Sequence, residues 1–185
     1  DVFFTGNQVR DRLFLNKGNL KFEDISNKAG ISKDKSWSSG VTFIDIDGDG
    51  DQDIYVCKNV YLESENSANE LYINNGDFAF TEKAASFGLA DQGFSIQAAF
   101  FDFNNDGLID VYIANLPPSI PGIGSKLDPT KFSDIKLSDR LYKNMGNGKF
   151  EDHTVKGNVR NFGFSLSVSV GDFDNDGWQD MYVTN

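Results

Sequence analysis

Three stretches of this 185-residue chain repeat one pattern of oxygen-bearing side chains. They read DIDGDGDQD at residues 45–53, DFNNDGLID at 102–110 and DFDNDGWQD at 172–180. Each places Asp or Asn at positions 1, 3, 5 and 9, with glycine at position 6. Four such side chains within nine residues, on a backbone bent by glycine, suit a hard cation such as calcium. The expected ligands are Asp45, Asp47, Asp49 and Asp53; Asp102, Asn104, Asp106 and Asp110; and Asp172, Asp174, Asp176 and Asp180. The backbone carbonyl at position 7 completes each set, at Asp51, Leu108 and Trp178, because a carbonyl is indifferent to side-chain type.

The competing reading is a polar hairpin turn, since Asp, Asn and Gly dominate turns. A plain turn needs neither four side-chain oxygens nor a second acid at position 9. Carboxylates this close also repel one another unless a counter-ion lies among them. Calcium fits better than magnesium, which demands a tight octahedron and keeps its waters. Zinc prefers His or Cys, and the single His153 lies far along the repeat. An EF-hand needs a bidentate Glu at position 12, where this chain has Val56, Ile113 or Val183. The expectation is about three Ca2+ per chain. Asn104 removes one charge, so the second site is expected to be the weakest.

The bulk numbers bound the partners. A formal charge of −11 and a pI near 4.4 argue against nucleic acid and against anionic membrane surfaces. No window approaches 18 consecutive apolar residues, so no membrane insertion is expected. The lone Cys57 excludes an internal disulfide and reads as a small apolar residue in a strand. Seventeen Phe and 18 Gly fit aromatic strands joined by tight turns.

The loops need elements to hold them, and those repeat too. The phrases run out into DIYVCKN, DVYIAN and DMYVTN, and the chain opens on the similar DVFFTGN. Alternating runs enter them at residues 41–44, 98–101 and 166–170. Hairpins DRLFLNKGNLKFED, NELYINNGDFAFTE and DRLYKNMGNGKFED each read strand, Asn/Gly turn, strand. The fold class is therefore all-β, with propeller blades of four antiparallel strands. Two full blades are expected at 37–82 and 94–152, with parts of two more at 1–24 and 165–185. Propellers typically carry four to eight blades, so this partial propeller is expected to pack against neighbouring blades of a longer chain.

The segments GVTFIDIDGDGDQDIYVCKN, AAFFDFNNDGLIDVYIAN and VSVGDFDNDGWQDMYVTN, with the hairpins DRLFLNKGNLKFED and DRLYKNMGNGKFED, resemble the FG-GAP/VCBS repeat propellers. Such blades are similar to those of integrin α subunits. Within the family the chain looks most like the subgroup of cartilage acidic and bacterial ASPIC/UnbV-associated proteins. The resemblance implies a calcium-binding β-propeller, secreted or on a cell surface, serving adhesion, ligand binding or scaffolding without catalysis. A bacterial source is compatible with it.

Alternating strand directions put the acidic loops and the Asn-Gly turns at one end of the propeller. The insertion 116–138 holds all four prolines and is the expected loop for a protein or glycan ligand, with a tolerated surface loop as its rival. Trp37 and Trp178 are expected to be packing groups. Two other functions compete: a structural subunit of a surface filament or matrix, and a glycan-active enzyme whose site is completed by other blades.

Overall fold

The computed structural model describes residues 1–31, 36–59, 68–116 and 137–185. Most of the insertion and the connection 60–67 lie outside them. The described residues form thirteen strands and one helical turn. The strands are β1 (Val2–Phe4), β2 (Arg12–Asn16), β3 (Phe22–Asp24), β4 (Ser38–Ile44), β5 (Asp53–Lys58), β6 (Glu70–Asn74), β7 (Phe80–Glu82), β8 (Ser95–Phe101), β9 (Asp110–Asn115), β10 (Arg140–Asn144), β11 (Phe150–Asp152), β12 (Ser167–Gly171) and β13 (Asp180–Thr184). All pairs are antiparallel between chain neighbours, giving sheets β1–β3, β4–β7, β8–β11 and β12–β13. The blade reading is therefore the observed architecture.

The second strand of each complete sheet explains why the sheets stack. Both β5 and β9 are buried at every position, and a strand sends alternate side chains to opposite faces. Ile54 and Val56 meet Phe3, Leu13, Ile25 and Tyr72 on one side of the second sheet. Tyr55 and Cys57 meet Ala98, Val111 and Ile113 on the other. On β9, Tyr112 points onward to Leu141 and Val168. Each of the two four-stranded sheets is thus covered on both faces, with cores lying between successive sheets. Cys57 is a free, buried strand residue, and burial pushes its thiol up out of the reactive range.

The incoming strands of neighbouring sheets approach closely. The Thr42 hydroxyl donates to the Ala98 carbonyl at 2.9 Å. A Cβ at Gly40 would stand 2.2 Å from the Ile96 carbonyl oxygen, so this position admits no side chain without moving backbone. The one unanticipated element is α1 (Ala84–Phe87), ended by Gly88 with a left-handed φ of 80°. Four residues carry too little 3.6-residue periodicity to register against a strand pattern.

Candidate metal centre

Position 1 of each acidic loop is the hub of the turn. Asp45 accepts backbone N–H groups from Gly48 (2.8 Å) and Asp49 (3.1 Å) on Oδ1, and from Gly50 (3.0 Å) on Oδ2. Asp102 accepts from Asn104, Asp106 and Gly107, and Asp172 from Asp176 and Gly177. Position 5 makes a second local turn, accepting the position 7 N–H at Asp49, Asp106 and Asp176. Aspartate favours such side-chain-to-backbone turns.

These turns require left-handed backbone at both positions 4 and 6. The φ values are 77° and 93° at Gly48 and Gly50, 53° and 83° at Asn105 and Gly107, and 61° and 90° at Asn175 and Gly177. Position 4 was missed in the sequence, although Gly, Asn and Asn are the residues that tolerate this region. The geometry brings carboxylate oxygens of Asp45, Asp47 and Asp49 within 4.8 Å of one another, and likewise those of Asp172, Asp174 and Asp176. An all-oxygen donor set of this density suits calcium. The middle loop has the same backbone but a different charge. Asn104 stands at position 3, and the Lys143 ammonium lies 2.9 Å from the Asp106 carboxylate. The Lys143 hydrogen bond leads the effects that hold the Asp106 carboxyl below its ordinary range.

Position 9 is placed differently from positions 1, 3 and 5. Asp53 is buried and accepts the Ile46 N–H at 3.0 Å and the Asn74 N–H at 2.8 Å. Asp110 accepts from Phe103 at 3.3 Å and Asn144 at 2.7 Å. Asp180 accepts from Phe173 at 2.9 Å. Asp1 accepts from Asn16, the same relation to its hairpin. Burial holds Asp53 and Asp110 above the usual carboxylate range, with neighbouring loop aspartates adding to the effect. The position 9 carboxylate is thus the tether between the acidic loop and the next hairpin. The asparagine that ends the hairpin's first strand returns the contact, with Asn74 Nδ2 on the Gln52 carbonyl and Asn144 Nδ2 on that of Ile109. Acidic loops and Asn-Gly turns therefore share one end of the stack.

A second repeated device lies at the opposite end. Asp11, Asn69 and Asp139, each just ahead of a hairpin, accept the N–H of Gly6, Lys58 and Asn115. Their other side-chain atom bonds the hydroxyl of Ser38, Ser95 or Ser165, at or just ahead of the first strand of the following sheet. At the first of these joints Lys58 is buried between Asp11 (3.3 Å) and Glu70 (2.9 Å). His153 follows β11 with Nε2 3.9 Å from Glu151. Trp178, expected to pack, is 49% exposed at its loop. The proposed insertion loop falls outside the described residues except at its ends.

The comparisons with known proteins agree with this architecture. The family description FG-GAP-like repeat matches residues 1–56, 59–113 and 133–183. Each match ends within a strand that leaves an acidic loop, at β5, β9 or β13, so the sequence repeat straddles two sheets. Cartilage acidic protein 1 of Homo sapiens is 35% identical over 102 residues, which is 55% of this chain and 14% of that protein. Cartilage acidic protein 1 of Mus musculus is 34% identical over 102 residues, 55% of this chain and 15% of that protein. The matched region is thus about one seventh of each relative's length.

Proposed function

The chain belongs to the FG-GAP-like repeat family, and from that premise we propose that it is a calcium-binding, extracellular, non-catalytic β-propeller module for adhesion, ligand binding or scaffolding. One observation carries the calcium reading: two triads of converging carboxylates, Asp45–Asp47–Asp49 and Asp172–Asp174–Asp176, sit on loops whose backbone hydrogen bonds already hold them together. The ion would neutralise the crowded carboxylates and so stiffen the hairpin below. Placement outside the cell is supported by relatives named for cartilage. Among the described residues no helix is long and apolar enough to cross a membrane. Oxygen-only sites of modest affinity also fill where calcium is plentiful.

The experiment uses Trp178 at position 7 of the third loop. Terbium substitutes for calcium and is excited by an indole close to it. Trp37, the other tryptophan, lies at the far end of β4, where its carbonyl accepts the Asn59 N–H. Tryptophan excitation is expected to give terbium emission that calcium displaces and that Trp178→Phe and Asp174→Ala each abolish. Emission that is absent, or that survives Asp174→Ala, contradicts the reading.

A further inference from the structure

Resting on that reading, we propose that the middle loop carries a built-in cation, the Lys143 ammonium, and that calcium therefore fills the first and third loops before the second. The position 5 carboxylate is the deciding group. On Asp106, Oδ2 accepts from Lys143 Nζ at 2.9 Å and from Asn104 Nδ2 at 3.0 Å, while Oδ1 accepts from the Leu108 N–H at 3.0 Å. Calcium at this loop has to displace two donors, one of them charged, before it can use Oδ2.

The other two loops present no such competitor among the described residues. Among the described residues, the Asp49 carboxylate accepts only the Asp51 N–H at 2.9 Å, and the Asp176 carboxylate only the Trp178 N–H at 2.8 Å. Hairpins aligned on their closing asparagines put Lys143 of β10 where β6 has Ile73. Ile73 is core, packed with Tyr55 and Leu71, and cannot reach the loop electrostatically. Lys143 is 25% exposed and rooted in a central strand, so its ammonium is held in place and does not wander in solvent. Two differences act in the same direction: Asn104 subtracts a negative charge and Lys143 adds a positive one. The loop thereby keeps its fold with less help from metal. It is also joined to the third loop by the Asn105 Nδ2 hydrogen bond to the Gly177 carbonyl, at 3.1 Å.

The test follows the backbone amides of Gly50, Gly107 and Gly177, one per loop, by nitrogen-15 NMR during calcium titration of the chain. The wild type is expected to show Gly50 and Gly177 responding at lower calcium than Gly107. In Lys143→Ile and, separately, Lys143→Gln, the Gly107 midpoint is expected to fall by about two- to fivefold, the equivalent of one exposed ion pair. The Gln variant keeps polarity without charge and the Ile variant keeps neither, so agreement between the two assigns the effect to charge. Equal midpoints in the wild type, or a Gly107 midpoint that neither variant moves while Gly50 and Gly177 still titrate, overturns this inference and leaves the calcium reading standing. No calcium response at any of the three glycines removes both.

Discussion

Asp53 and Asp110 show how one acidic residue type serves two ends. Their carboxylates lie beneath the loops, each held by two backbone N–H groups, yet burial still lifts them above the ordinary carboxylate range. Glu70 is lifted in the same direction, mainly by burial. A carboxyl whose folded value is raised binds its proton more readily folded than unfolded, so it makes stability fall as pH rises through that window. Asp24, held low by its Ser26 hydrogen bonds, works oppositely, but its contribution is lost only below the ordinary range. In chelator, the melting temperature is therefore expected to rise as pH is lowered from neutrality toward the ordinary carboxylate range. With saturating calcium that rise is expected to vanish or reverse, because protons then compete with the ion. A chelated protein that loses stability steadily over this range contradicts the assignment. The acids themselves were legible in the sequence, being three copies in register. Which of them act as tethers was not, because Asn74 and Asn144 lie 21 and 34 residues away. The Ser38, Ser95 and Ser165 joints were hidden for the same reason, their partners being 26 or 27 residues distant.

At the scale of elements, hairpin turns carry strain that glycine would relieve. The β2–β3 turn holds Gly18, Asn19 and Leu20 at φ of 78°, 51° and 59°. The β6–β7 turn repeats this with Gly76, Asp77 and Phe78. In the β10–β11 turn the third place is taken by Gly148, at φ 68°. A bulky residue in the left-handed region costs about 1–2 kcal/mol, partly offset by the greater freedom of glycine in the unfolded chain. Leu20 is 94% exposed, so its side chain contributes little packing. Leu20→Gly is expected to stabilise the protein by about 0.5–1 kcal/mol, read as a higher urea midpoint with unchanged slope. A lower midpoint contradicts the strain argument. The strands were legible because period-2 alternation recurs with turn residues at fixed offsets. The strain was not, since Leu20 and Phe78 carry no left-handed signature and only alignment with Gly148 suggests one.

Across the whole molecule, stability is shared between neighbours. Core residues of one sheet complete the core of the next, as Ile54 and Val56 do for Phe3 and Leu13 and as Tyr112 does for Val168. Polar joints act at both ends: loop-to-hairpin tethers within each sheet at one, and Asx–Ser links between sheets at the other. In the proposed function calcium would act at the first end only. At affinities common to extracellular modules, millimolar calcium would contribute roughly 0.4–1.4 kcal/mol per site, enough to stiffen a fold that packing has already specified. The decisive measurement is thermal unfolding of the chain at millimolar calcium and again in excess chelator. The account predicts a melting temperature higher by roughly 3–12 °C with calcium, with the gain cut by Asp47→Ala and Asp174→Ala together. Superimposable unfolding curves in calcium and chelator would contradict it, leaving the three acidic phrases as self-sufficient polar turns.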